Sequence, residues 1–166
     1  MNIYSAKYFG EIDLDGPNQW YETELNVNNK TVEVLFTVLD TSTSIDKEAI
    51  QKIEAYLDNF QDNESYVRSC MQENFKQKGD VMDYIDFHIE EFDKEDIADL
   101  IKGIDKKLSK KEKLLSILVL LRIVFYPERD DGTFAVLDYT ISEELTDELI
   151  AVKLYKDDTM DFAIES

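Results

Sequence analysis

Tyr21-Glu22-Thr23-Glu24-Leu25-Asn26-Val27, then Asn28-Asn29, then Lys30-Thr31-Val32-Glu33-Val34-Leu35-Phe36-Thr37-Val38 is the stretch on which the fold class turns. From Trp20 onward, Tyr21, Thr23, Leu25 and Val27 alternate with Glu22, Glu24 and Asn26. A period of two with one polar face describes a half-buried strand, because successive side chains of an extended chain point to opposite sides. Asn28-Asn29 supplies a two-residue turn, since asparagine tolerates positive φ. Beyond it Val32, Val34, Phe36 and Val38 share one face, and Thr31, Glu33, Leu35, Thr37 and Leu39 share the other. One wholly apolar face and one partly apolar face predict a strand with a central place in its sheet. Upstream, Tyr8-Phe9-Gly10-Glu11-Ile12 reads as a further short strand.

Downstream the period changes. Asp40 to Ser44 breaks the strand, and Ser44 is a candidate helix cap, with Asp46 and Glu48 placed to complement the helix dipole. Ile45, Ala49, Ile53, Leu57 and Phe60 then recur at helical spacing. Asp62-Asn63-Glu64 restarts a helix in which Val67, Cys70, Met71 and Phe75 share a face, with Gly79 as its stop. Val81, Ile85, His88, Ile89 and Phe92 form the next stripe, and Ile97, Leu100 and Ile101 a shorter one ending at Gly103. Ser109-Lys110-Lys111-Glu112 fits a capping box ahead of an apolar run. Periodicity does not separate helix from buried strand over Leu114–Leu121. Arg122 to Tyr126 reads as extended and is closed by Pro127, and Asp130-Asp131-Gly132 is a hairpin signal. Alternation returns over Thr133–Ile141, Leu149–Tyr155 and Met160–Ile164, with Lys156-Asp157-Asp158-Thr159 as a turn.

Segregated runs of strands, helices and strands predict an α+β fold, with antiparallel β segments at both ends of the chain and a helical block between them. About six or seven strands and three to five helices are expected. The chain reads as a single domain over 1–166: strands over 7–39, helices over 45–118 and strands over 119–165, with the terminal β segments in one sheet or two packed sheets.

The 166 residues carry 18 Lys+Arg against 37 Asp+Glu, a net charge of −19. Phosphate backbones and anionic lipid need a basic patch, so neither nucleic acid nor a membrane surface is an expected partner. Hydrophobic residues make up 43% of the chain, enough apolar surface to offset chain entropy, so this is a globular and not a disordered acidic composition. Cys70 is the single cysteine, so no intramolecular disulfide forms. The opening residues show no charged segment leading into an apolar one. The longest apolar run, Leu114 to Tyr126, is well short of the roughly 20 residues of a spanning helix. A soluble cytoplasmic protein is expected.

The charge is uneven. Asp80–Asp99 holds nine acids and one lysine; Lys102–Lys113 holds six lysines and two acids; Glu128–Glu148 holds eight acids and one arginine. Solvated faces that keep the protein soluble account for such runs. A convergent acidic field that steers a basic partner protein is the sharper reading, centred on Asp83, Asp86, Glu90 and Glu91.

Few residues point to chemistry. Glu11, Asp13, Asp15, Gly16 and Glu22 nearly match a calcium loop. Its first ligand is the long Glu, Asn18 stands where an aliphatic residue belongs, and the flanks read as strands. An acidic turn at Asp15-Gly16-Pro17 is the simpler reading. His88, the only histidine, lies on an apolar helix face near Asp86, Glu90 and Glu91. Without a second nitrogen or thiolate near it, a partly buried imidazole bonded to a carbonyl or carboxylate is expected. Beside acids, its pKa is expected to rise. Cys70 reads as a small buried hydrophobe and Asp138 as a carboxylate on a sheet's solvent face. Nucleophile-elbow, phosphate-loop and dinucleotide motifs do not occur. No catalytic, cofactor-binding or metal residue is therefore assigned, and no cofactor is expected.

Lys7-Tyr8-Phe9-Gly10-Glu11-Ile12-Asp13-Leu14, Tyr84-Ile85-Asp86-Phe87-His88-Ile89-Glu90-Glu91, Phe134-Ala135-Val136-Leu137-Asp138-Tyr139-Thr140 and Asp161-Phe162-Ala163-Ile164-Glu165-Ser166 resemble the bacterial domain of unknown function 2004 family. The resemblance spans nearly the whole chain and implies a bacterial single-domain cytoplasmic protein with no assigned catalytic residue. In size and charge the chain is also similar to immunity proteins that neutralise toxins. The expected function is a non-enzymatic protein-binding module, such as an immunity-type inhibitor of a basic toxin. The alternative is a metal-dependent or acid–base enzyme centred on His88 and carboxylates.

Overall fold

Period-two segments from both ends of the chain meet in one sheet. The structure, a computed structural model, describes residues 1–16, 20–38 and 44–166. The first strands are β1 (Ile3–Ala6), β2 (Gly10–Asp13), β3 (Trp20–Val27) and β4 (Lys30–Thr37). Among the described residues five helices follow: α1 (Lys47–Asp58), α2 (Phe60–Lys76), α3 (Asp80–Glu91), α4 (Lys94–Leu100) and α5 (Lys110–Ser116). The chain closes with β5 (Val119–Phe125), β6 (Thr133–Thr140), β7 (Leu149–Tyr155) and β8 (Met160–Glu165). The fold is α+β. β1 and β2 form a two-stranded sheet, and a six-stranded sheet runs β3-β4-β5-β6-β7-β8. Every pair is antiparallel except β4–β5, which is parallel. The helical block is the reason: it forms the long crossover that brings β5 back beside β4 in the same direction.

The asparagine turn forms as expected, with Asn28 and Asn29 at φ 50° and 63°. Register then places Val34 opposite Ile123, Ile123 opposite Leu137 and Leu137 opposite Val152, all fully buried on one face. Helices and the β1–β2 hairpin cover that face. Phe9 meets Phe36 edge-on at 5.7 Å, Tyr56 of α1 meets Phe125 at 5.6 Å, and α3 lies against β7 and β8. The hairpin is tied to α1 by Tyr4 Oη donating to Glu54 (2.9 Å) and by Lys7 and Tyr8 on Asp58.

Several expectations need correction. Of the strand expected over Tyr8–Ile12, only the part from Gly10 is extended, as β2; Tyr8 and Phe9 lie in the turn that joins it to β1, a strand not expected from the sequence, and reach Asp58 and Phe36. Asp46, not Ser44, caps α1, its carboxylate accepting from the Glu48 N–H at 3.0 Å. The break before α2 falls at Asn59, and Phe60 opens the helix. Lys78 takes the left-handed conformation at the end of α2, while Gly79 caps α3 at φ −87°. Gly79 matters for space: a Cβ there would lie 2.6 Å from the Asn74 side chain, whose Oδ1 accepts from the Val81 N–H. The capping box Ser109/Glu112 forms as read, and α5 ends at Ser116 before β5 begins at Val119. Cys70 is half-buried and not enclosed.

Asp138 is the largest departure. It is buried, 4% exposed, and its Oδ2 accepts from Arg122 Nε at 2.9 Å and Nη2 at 2.5 Å. β6 is interior to the sheet, so Arg122 of β5 and Ala151 of β7 stand on either side of the carboxylate. The acidic run Glu11–Glu22 includes Pro17, Asn18 and Gln19, and Leu39 to Thr43 follow β4. These lie outside the described residues, and so does part of the expected Asp15-Gly16-Pro17 turn. Among the described residues, no helix is long and apolar enough to cross a membrane.

A polar network lies between α2 and β6. Glu64 Oε1 accepts from Arg68 Nε (2.5 Å) and from Tyr139 Oη (3.2 Å), and Arg68 Nη1 donates to the Leu118 carbonyl (3.0 Å). The Tyr56 hydroxyl nearby is buried without a partner, and burial together with the Glu64 charge pushes its pKa up. An enclosed hydroxyl that makes no hydrogen bond is destabilising. Tyr56→Phe is therefore expected to raise stability by about 1 kcal/mol in urea denaturation, whereas a loss would show that the hydroxyl is bonded.

Candidate functional site

α3 ends in Phe87-His88-Ile89-Glu90-Glu91, and the β6–β7 connection opposite it reads Ser142-Glu143-Glu144-Leu145-Thr146-Asp147-Glu148. Helical spacing puts Tyr84 and His88 on the buried side of α3 and Phe87 and Glu91 on the open side. Tyr84 Oη donates to the Glu148 carbonyl (2.8 Å) and accepts from the Ile141 N–H (3.1 Å). One side chain thus holds both ends of the connection. His88 holds its middle: Nδ1 donates to the Tyr84 carbonyl (2.7 Å), and Nε2 accepts from the Thr146 hydroxyl (3.0 Å). A carbonyl only accepts, so the Nδ1–H tautomer follows from these partners. Thr146 Oγ1 in turn accepts from the Glu148 N–H at 3.0 Å.

The result is an open cleft of about 430 Å³. One wall is Phe87, Glu91 and Phe92 at the end of α3. The other is Glu143, Glu144, Leu145, Asp147 and Glu148. Carboxylates from two distant acidic segments converge there. Phe87 and Leu145 stand 42% and 40% exposed beside them, so apolar surface and negative charge share one recess. The imidazole also lines the cleft, together with Thr146. It is 1% exposed, both nitrogens are engaged, and the rings of Tyr84, Phe87 and Phe92 surround it at 4.3, 5.1 and 5.0 Å.

Its pKa moves opposite to the sequence expectation. Burial lowers it below the usual 6.5, outweighing the Tyr84 carbonyl and the charges of Glu148 and Glu91, which pull upward. The unfolded chain therefore binds this proton more tightly. His88 is fully stabilising above about pH 6.5, and stability is lost as pH falls from there through the folded value. His88→Gln, which lacks this titration, is expected to be less stable than the parent at about pH 8, with the gap narrowing towards about pH 5. Urea denaturation across that range checks the sign, and a gap that widens on acidification would reverse it.

The four carboxylates singled out in the sequence are partly united. Glu91 lines the cleft. Asp83 and Glu90 are exposed on the same helix, and Asp86 pairs with Lys111 of α5 at 2.6 Å. That contact joins the acidic segment to the basic one within the chain. Tyr84, Phe87, Leu145 and Thr146 were not singled out by sequence. Tyr84 was detectable, since it lies three residues after Val81 and four before His88 on the same stripe. Among the described residues, no three His, Cys, Asp or Glu side chains are grouped to hold a metal ion. No family model, curated protein or solved structure matches this chain.

Proposed function

We propose that this protein is a non-enzymatic binding module that captures a basic protein, in the manner of a bacterial cytoplasmic immunity protein, on a chain that resembles the uncharacterised domain of unknown function 2004 family. The observation that carries this reading is the convergence of Glu91 with Glu143, Glu144, Asp147 and Glu148 around exposed Phe87 and Leu145. Carboxylates speed encounter with a positively charged surface, and apolar side chains at the centre of the contact slow dissociation. The α3 acids Asp83 and Glu90 extend the same field along the helix. The fixed connection suits the role, because a recess held by hydrogen bonds at both ends loses little freedom on binding.

The product of the reading frame beside the coding sequence is the first partner to test, by growth rescue on co-expression and by stopped-flow association. Reversing Glu91, Glu143, Glu144 and Asp147 to lysine is expected to slow association about tenfold at low salt and to flatten its salt dependence. Reversal of Asp83 and Glu90 acts in the same direction with a smaller effect. Unchanged on-rates in the cleft variant would refute this surface.

A further inference from the structure

At the opposite end of β7 a second cavity, of about 320 Å³, lies between α2 and the β7–β8 turn. Four aromatic residues line it: Tyr56 of α1, Tyr66 of α2, Phe134 of β6 and Tyr155 of β7. Met160 and Asp158 also line it. Two other carboxylates nearby, Asp157 of the turn and Asp161 of β8, are occupied. Asp157 accepts from the Thr159 N–H (3.0 Å) and hydroxyl (2.5 Å), and Asp161 accepts from Tyr155 Oη (2.8 Å). The Asp158 carboxylate joins no ion pair or side-chain hydrogen bond among the described residues. An adjoining cavity also borders Asp158 and contains Lys52 and Lys156, but it sets them among Asp46, Glu48 and Glu128. Neither lysine forms an ion pair with Asp158 among the described residues.

Ring faces carry negative quadrupole density, so aromatic walls attract a cation while burying its alkyl part. A single carboxylate without a partner adds net charge to the same space. An anion is repelled there, and a neutral apolar group leaves Asp158 without a counter-charge. We propose that this cavity is a binding site for an organic ammonium group, carried by a small amine or by a lysine-type side chain. The site is independent of the acidic cleft, because the seven residues of β7 hold the two roughly 20 Å apart.

The full chain is titrated with choline and with its uncharged tert-butyl isostere, followed by the backbone amide NMR shifts of Tyr66, Tyr155 and Thr159. Parallel titrations use acetyl-lysine amide and its trimethylated form. Choline is expected to saturate these shifts and to bind about tenfold more tightly than the isostere. Tyr66→Ala and Asp158→Asn, both at exposed positions, should each weaken it by about the same factor. Asparagine also accepts the left-handed backbone of Asp158, at φ 66°, so the turn is kept. Tighter binding of the lysine derivatives points to a side chain of another protein, and tighter binding of choline to a free amine; either supports the site. Equal affinity for the isostere, shifts that never saturate, or an unaffected Asp158→Asn variant overturns it.

Discussion

Tyr84→Phe is expected to lower folding stability by roughly 2–4 kcal/mol, a large effect for the loss of one oxygen atom. The side chain is fully buried, and its hydroxyl satisfies two backbone groups at once, the Ile141 N–H and the Glu148 carbonyl. Phenylalanine fills the same space but leaves the buried Ile141 N–H and the half-buried Glu148 carbonyl without this partner, each worth about 1–3 kcal/mol. Denaturant unfolding measures the total. The variant should also loosen the connection that carries Glu143 to Glu148, so amide exchange there should rise more than in β3 or β4. A loss below about 0.5 kcal/mol would mean that other groups or water replace the hydroxyl.

The second large effect is expected at the pair on the opposite sheet face. Arg122→Met removes the guanidinium that bonds Asp138 twice and leaves a carboxylate only 4% exposed in the sheet. An enclosed carboxylate stripped of its partner costs about 3–5 kcal/mol. The Arg122 side chain is 43% exposed, so water softens the loss and roughly 2–3 kcal/mol is expected. Replacing both partners, as Arg122→Met with Asp138→Leu, should recover most of that loss, because no charge is then left alone and the neighbours Val124, Val136 and Ala151 are apolar. The double-mutant cycle in urea reads the coupling. A neutral Arg122→Met variant would show that the carboxylate is solvated.

These two cases show why the sites were less legible than the fold. Asp138 occupies an alternating strand, and alternation alone assigns it to the polar face. That assignment is correct as to side. It is silent on whether an arginine from a strand sixteen residues earlier stands over it. For His88 the neighbouring acids in sequence suggested an upward pKa. The enclosing rings of Tyr84, Phe87 and Phe92 and the contact with Thr146, fifty-eight residues away, make burial the larger effect. In sequence Glu91 is one acid of a run, and the carboxylates across the cleft come from a different run in the chain.

What the sequence determined by itself is what local geometry controls. Alternation gives β3, β4 and β6 to β8, paired asparagines give the turn between β3 and β4, and Ser109 with Glu112 gives the start of α5. Each depends on side chains within a few residues of one another, whose directions follow from backbone repeat alone. Tertiary structure decided which strand lies beside which, including the parallel β4–β5 pair. It also decided which charges are buried and which acids face each other. Those outcomes depend on contacts between groups far apart in the chain, where burial and Coulomb energy are set by distance in space and not by spacing in sequence.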